Sequence, residues 1–444
     1  MKNISQVCLI LIISLFAFGP SRAEYKCFYG NLHAHTSYSD GESTPDTAFT
    51  YARDVALIDI QALTDHNNGG YDYNPFLYQK VRHAADSITV DGVFVALAGQ
   101  EIGKTTGFGH IACFETPELS PLFNYASDLI SCYRWILGED KPAMFCHPML
   151  FQPDDFNYLY YYSDYNRSMD LLEVINQNGV YESKYLLALQ NGWQVGASAN
   201  QDNHNRNWGN AANSSGRIPL TGVWADTLTK ASVLEAMQAR RTCAMLVYPA
   251  MDRMEVSLRS GEHWQGEHFI TPSTSINFQI KASAVAVNFK KIYLYTDGIV
   301  SDSLSPDNRD VYWDLNKEVK WGKHYFFVKA VQTDNDLAWT SPLFIDVLQD
   351  DPKTKVVTWP TPVADDCQIV YQPLTGVNRI KTLIYDVAGN RVWEHEASDP
   401  SAVLNWDSKD MKGNRVPNGL YIIKVEQSGP AQTSIAIGKT AVSR

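Results

Sequence analysis

His33-Ala34-His35-Thr36-Ser37-Tyr38-Ser39-Asp40-Gly41 sets two imidazoles and a carboxylate within eight residues, directly after the short apolar run Cys27-Phe28-Tyr29-Gly30-Asn31-Leu32. Run as a strand, that stretch projects His33 and His35 to the same side of its end. Two same-side imidazoles can share one ion, so the segment reads as the opening of a metal site.

Outward from it, residues 27–245 alternate short apolar runs with helical stretches, the pattern of βα units around a parallel sheet or barrel. The first helix is marked by Thr44 as cap, Pro45 in its first turn, and Ala48, Ala52, Val55 and Ala56 at helical spacing. Each candidate strand then delivers a chemically useful side chain. Leu57-Ile58-Asp59-Ile60-Gln61-Ala62-Leu63 runs into Thr64-Asp65-His66, and Val93-Phe94-Val95-Ala96-Leu97-Ala98 into Gly99-Gln100-Glu101. Ala143-Met144-Phe145-Cys146 leads to His147, and Gln194-Val195-Gly196-Ala197-Ser198 to Asp202-Asn203-His204. Barrel enzymes build their sites on the C-terminal ends of strands. Of the chain's 11 histidines, seven precede residue 205, and six of these fall at such ends or, for His110, in the Gly107-Phe108-Gly109-His110 turn. His83, beside Arg82 on an expected helix, reads as a surface histidine.

A chain of 444 residues, 45% hydrophobic and 12% aromatic, can bury more than one core, so two or three domains are expected. The formal charge of -12 argues against non-specific nucleic-acid binding. Lys2, an apolar run over 7–18, Gly19-Pro20 and Ser21-Arg22-Ala23 read as a signal peptide over 1–23, and no later segment is long enough to span a bilayer. A secreted protein follows, periplasmic, cell-surface or extracellular. Six cysteines then remain, an even number for which disulfides are permitted without being required, while Cys146, within an apolar run, reads as a buried thiol.

Six imidazoles and three carboxylates exceed the roughly four ligands of a single zinc, so the count points to a multinuclear site. Ions about 3.5–4 Å apart would activate shared water as hydroxide and stabilise the oxygens of an in-line displacement. The donors are mixed nitrogen and oxygen, which suits Zn, Mn or Fe as Lewis acids. No Gly-rich phosphate loop or serine elbow is visible.

H-A-H-T-x-x-S-x-D-G, T-D-H-N, G-x-E with a histidine nine residues later, C-H-P and D-N-H, in that order, closely resemble the motifs of the polymerase and histidinol phosphatase (PHP) superfamily. The resemblance implies an α/β fold, a distorted seven-stranded β/α barrel over 24–248 with a trinuclear centre. Carried over by position, one ion is held by His33, His35, Glu101 and Asp202, a second by the bridging Glu101 with His110 and His147, and a third by Asp40, His66 and His204. Asp65 would orient a ligand histidine from behind, and Arg206 is a candidate for a substrate anion. The short spacing from Glu101 to His110 is similar to the secreted CehA/McbA-type branch, associated with phosphoester, carbamate or ester hydrolysis.

Beyond the barrel the period becomes two, as in Ile276, Phe278 and Ile280, and strands over 325–331 and 339–347 flank an Asp334-Asn335-Asp336 turn. A small β-sandwich over 249–350 is expected, whose Ala338-Trp339-Thr340-Ser341-Pro342 is similar to the module that follows the barrel in that branch. Its aromatics read mainly as sandwich core, with carbohydrate binding as the alternative. After the linker Asp350-Asp351-Pro352-Lys353-Thr354-Lys355, strand-turn-strand signals such as Asp386-Val387-Ala388-Gly389-Asn390 resemble FlgD-like immunoglobulin and type IX secretion sorting domains, over 351–444. Pro360-Thr361-Pro362 stands where sorting domains commonly carry Pro-Asn-Pro.

The expectation is a secreted hydrolase with two or three divalent ions (Zn, Mn or Fe), acting on a small-molecule phosphoester. Its C-terminal domain would engage secretion machinery or attach the protein to the cell surface, with a spacer domain as the alternative. Carbamate or carboxylic-ester hydrolysis on the same centre is the enzymatic alternative, and a surface binding protein that keeps the barrel as a scaffold is the non-enzymatic one.

Overall fold

The computed structural model describes residues 25–444 except 68–70, 72, 105–107, 122–127, 151–153, 249–251, 349–355, 372–376, 398–402 and 430–432. The expected signal peptide and the 350–355 linker therefore lie outside the described residues. The N-terminal part runs β1 Lys26–Asn31, α1 Pro45–Asp54, β2 Ile60–Leu63, α2 Pro75–Ile88, β3 Val95–Lys104, β4 Gly109–Phe114, α3 Leu129–Glu139 and β5 Ala143–Cys146. It continues with β6 Leu171–Asn176, α4 Glu182–Asn191, β7 Gly196–Asn200, β8 Ile218–Ala225, α5 Lys230–Gln238 and β9 Thr242–Val247.

These strands form one curled, mixed sheet, giving a mixed α/β fold. β1, β2 and β3 pair in parallel, as do β5, β6 and β7, while the β3–β4 and β4–β5 pairs are antiparallel. β8 lies antiparallel between β1 and β9. Side chains draw β1 and β7 together across the curl: the Leu32 amide donates to Asn200 Oδ1 at 2.8 Å, and the Gln201 amide donates to Asn31 Oδ1 at 3.0 Å. Strands buried along their length explain the unbroken apolar runs; every residue of β2, β5 and β7 is buried.

Thr44 caps α1 as expected and Pro45 opens it, with Ala48, Phe49 and Ala52 facing the core. The helix stops at Asp54, so Val55 is exposed rather than part of the apolar stripe. His83 is exposed on α2.

The all-β elements that follow include β10 Met254–Ser260, β11 Ser275–Ala284, β12 Phe289–Thr296, β13 Asp310–Glu318, β14 Gly322–Gln332, β15 Leu337–Thr340 and β16 Leu343–Val347. β15, which carries Ala338-Trp339-Thr340, pairs antiparallel with β9, so the sheet of the N-terminal part continues into the β elements. Ser341 Oγ donates to Thr242 O at 2.9 Å, and Arg217 Nε reaches the fully buried Asp336 at 2.7 Å. One hydrophobic cluster runs from Phe49 of α1 to Phe278 of β11. The C-terminal strands form separate three- and four-stranded sheets around a core of their own that includes Trp406, Ile369 and Ile423. The Asp386–Asn390 turn is real: the Asp386 carboxylate accepts the amides of Ala388 and Asn390. All six described cysteines are buried and free.

Asp170, at the start of β6, is the costliest buried carboxyl away from the histidines. Burial pushes it up to about 7, against the pull of Arg240 and of the Ala143 amide that donates to it. A carboxyl whose folded value exceeds its unfolded value near 3.9 binds more protons when folded, so stability falls as pH rises from about 4 to about 7. Asp170→Asn keeps an acceptor for Ala143 and removes that loss. By urea unfolding, its gain over wild type at pH 8 should exceed the gain at pH 5 by on the order of 1–3 kcal/mol.

Candidate metal centre

All nine residues expected as ligands come together: His33, His66, His147 and Asp202 just past the C-terminal ends of strands, Glu101 within β3, His110 at the N-terminal end of the antiparallel β4, and the rest on loops beside them. Glu101, on β3 and 1% exposed, stands at the middle. Its Oε1 faces His110 Nδ1 at 2.8 Å and His147 Nε2 at 3.1 Å. Its Oε2 faces His66 Nδ1 at 2.9 Å, His33 Nε2 at 3.4 Å and His35 Nε2 at 3.5 Å. Asp202 Oδ1 lies 3.0 Å from His35 Nε2 and 3.4 Å from His33 Nε2. Asp40 closes the outer side, 3.5 Å from His66 Nε2 and 3.3 Å from His204 Nε2. Donor atoms therefore fall into overlapping clusters: His33, His35 and Asp202; His33, Glu101 and His147; His66, Glu101 and His110; and His35, Asp40, His66 and His204.

Burial alone would raise the Glu101 carboxyl, but the charges of His66, His33 and His110 outweigh it and hold the group well below the usual carboxylate range. Burial is likewise overcome at Asp202 by His33 and His35, and at Asp40 by the His204 hydrogen bond with His66 and His35. Three ionised carboxylates thus sit among six imidazoles. His35 goes the other way: burial first, and the neighbouring His66 charge, favour its neutral form.

The donor set fits a divalent metal. His33 Nε2 is buried with no hydrogen-bond partner, an expensive arrangement unless something between it and Glu101 accepts its lone pair. The imidazoles are also held in the required tautomers. His33 Nδ1 donates to Glu173 Oε1 at 3.0 Å, leaving Nε2 to face Glu101 and Asp202. His204 Nδ1 donates to the Asp202 carbonyl at 2.9 Å, leaving Nε2 toward Asp40. Two of the expected ligands sit on left-handed backbone, His147 at φ 28° and Asp202 at φ 45°, strain of the kind found where a site dictates direction. At Gly41 an added Cβ would lie 2.6 Å from the His35 carbonyl carbon, so only glycine lets the Asp40 loop fold this tightly against His35. Cys146 lies near His33, but burial raises its thiol and keeps it protonated, as its apolar run implied.

Asp65 does not act on a histidine. Its carboxylate accepts the Thr36 amide at 2.7 Å, Thr36 Oγ1 at 2.8 Å and Ser39 Oγ at 2.7 Å, so it pins the loop between His35 and Asp40. Arg206 is 70% exposed at the rim and pairs with Glu42 at 3.1 Å.

Two residues escaped the sequence reading. Glu173, fully buried on β6, accepts from His33, from the His147 amide at 2.6 Å, from Asn176 at 2.8 Å and from Asn200 at 3.0 Å. Its signal was a carboxylate inside the apolar Leu171-Leu172-Glu173-Val174-Ile175. Tyr71 stacks on His66, ring centroids 5.5 Å apart and planes 13° apart, and donates its hydroxyl to Asp40 Oδ2 at 3.0 Å. It is 40% exposed and had no distinguishing spacing.

Glu173→Gln keeps the shape but leaves one oxygen for four donors and points an amide at the others. It should fold and lose about 10–100-fold in metal affinity, measured by competition with a chromophoric chelator; unchanged affinity would deny Glu173 its orienting role.

Residues 357–437 match the family model of the secretion system C-terminal sorting domain. That match makes the chain a secreted or cell-surface protein, and among the described residues no helix is long and apolar enough to cross a membrane. No curated protein matches the chain. Among solved structures it is similar to a two-domain protein from Bacteroides vulgatus containing a predicted PHP-like metal-dependent phosphoesterase, 17% identical, covering 73% of this chain and 97% of that one, with a TM-score of 0.43. Dimeric latent PorU from Porphyromonas gingivalis is 15% identical over 43% of this chain, with a TM-score of 0.18, and the match spans 20% of PorU. Fibronectin(III)-like modules of Clostridium thermocellum CbhA are 15% identical, covering 42% of this chain and 94% of theirs, with a TM-score of 0.16.

Proposed function

We propose that the protein is a secreted metal-dependent phosphoesterase whose curled sheet is a distorted seven-stranded barrel holding a trinuclear centre. The observation that carries this reading is the convergence of five imidazoles on the buried Glu101, with Asp202, Asp40 and His204 completing the cluster beside them. His33, His35, Glu101 and Asp202 would hold one ion, Glu101, His110 and His147 a second, and Asp40, His66 and His204 a third, each of them Zn, Mn or Fe. When bound, such ions supply Lewis acidity toward a phosphoryl oxygen and lower the pKa of water.

The chain's own residues do the rest. Glu101 spans two donor clusters with its two oxygens, so it fixes their separation. Glu173 keeps the His33 ring from turning, and Asp65 keeps Asp40 in register with His35. Tyr71 shields one side of His66 from water and leaves part of its ring open at the mouth, where a substrate enters. Arg206 is tied only by an exposed ion pair, worth about 0–1 kcal/mol, so it can leave Glu42 for an incoming anion. A small anionic ester suits a pocket in which bound divalent cations would outweigh three carboxylates.

The test is turnover of p-nitrophenyl phosphate, bis-p-nitrophenyl phosphate and a p-nitrophenyl ester, before and after chelation. Phosphate release that chelation abolishes and metal restores is the expected result. Turnover of the carboxylic ester alone would move the assignment to ester or carbamate hydrolysis, and no turnover after reconstitution would leave a binding protein on a retained scaffold. Glu101→Gln should cut turnover at least about a hundredfold with the fold intact by circular dichroism; wild-type rates in that variant would sink the bridging role.

A further inference from the structure

Away from the metal centre, the chain encloses a groove of about 1120 Å³ between the start of β1, with Trp224 of β8 beside it, and the outer face of the β10, β11 and β13 sheet. That exceeds the ~300–1,000 Å³ of ordinary small-molecule pockets. It lies at the opposite end of β1 from His33, roughly 20 Å along an extended chain.

Strand register decides what the floor presents. Ser257 pairs with Lys281, and Lys281 with Tyr312, which sets these three side by side across the sheet. The neighbouring row is Glu255, Ser283 and Asp310. Most rings of these β elements belong to the core, as Phe278 and Phe326 do, both fully buried. Tyr312 does not: it is 59% exposed, and its hydroxyl donates to Asp314, two residues along the same face. Tyr25 and Trp264, packed edge to face at 5.1 Å, line the wall.

Four polar side chains of the groove are left for a ligand or solvent. Glu255, Lys281, Ser283 and Asp310 make no side-chain hydrogen bond or ion pair among the described residues. Burial raises the Glu255 carboxyl, as expected where no cation has been supplied to offset it. Charges of both signs line the groove, with Lys26 and Arg259 beside Lys281 against the carboxylates. An anionic or cationic ligand would meet repulsion from one set. A peptide strand would seek an open sheet edge, whereas this floor is a sheet face. A neutral molecule with donors and acceptors all round and apolar C–H faces satisfies both sets and covers the exposed ring.

We propose that this groove is a saccharide-binding site, which takes a short neutral oligosaccharide across the Ser257, Lys281 and Tyr312 row with a sugar face on Tyr312. It places glycan binding on the same body as the metal centre but on another face, independent of the chemistry proposed there.

The experiment is isothermal titration of the full-length mature protein with neutral β-1,4-glucan, xylan, mannan and chitin oligosaccharides, one acidic oligosaccharide and an unstructured peptide, each with and without chelator. At least one neutral oligosaccharide should bind one to one, equally with and without chelator. Tyr312→Ala should weaken it by about tenfold or more while phosphoester turnover stays unchanged, and Lys281→Ala should weaken it severalfold. Binding by no neutral oligosaccharide, by only the acidic one or the peptide, or binding that survives Tyr312→Ala would overturn the proposal. Binding that chelation abolishes would put the sugar at the metal centre and overturn it too, whereas failure of the phosphoesterase reading would leave this titration untouched.

Discussion

A carboxylate buried to 1% exposure is tolerable only if its charge is matched, and Glu101 is matched by five imidazoles at 2.8–3.5 Å. The architecture around it serves that requirement. Parallel strands end on one side of the sheet, so His33, His66 and Asp202, each just past a strand end, face the same point as Glu101, and the loop after His35 brings Asp40 to them. The antiparallel excursion through β4 and β5 lets His110 and His147 approach the other oxygen of the same carboxylate. Behind the candidate donors, two further carboxylates act as hubs. Asp65 holds the loop that carries Asp40, and Glu173 holds His33 and the backbone of His147.

The β elements after the curled sheet are tied to it rather than appended. Pairing of β9 with β15, the Arg217 contact to Asp336 and a shared hydrophobic cluster make the sheet continuous across what the sequence suggests is a boundary near 248. That continuity creates the groove between β1 and the β10, β11 and β13 face, since neither side alone would enclose it. The C-terminal strands have their own core, which fits a segment whose family match concerns sorting instead of chemistry.

The cluster of candidate metal donors was legible because ligation demands particular residue types, and strand geometry demands that they follow apolar runs. His33, His66, Glu101, His147 and Asp202 each sit at such a place, and the helix cap at Thr44 is equally local. What the sequence hid was nonlocal. Asp65 meets Thr36 across 29 positions and Glu173 meets His33 across 140, and nothing in either segment names its partner. Asp65 next to His66 suggested a histidine as its target, whereas the fold turns the carboxylate toward the opening loop. Tyr71 looked like any tyrosine after a glycine pair. The union of β9 with β15 depends on a pairing between residues nearly a hundred apart, while each strand by itself reads as a separate module.

The account rests on Glu101 bridging bound ions, and anomalous-difference diffraction from crystals of metal-reconstituted protein, collected above and below each metal's absorption edge, tests that most directly. It predicts two or three peaks about 3.5–4 Å apart, at least two of them bonded to opposite oxygens of Glu101. A single peak away from Glu101, or none in fully reconstituted crystals, would contradict it.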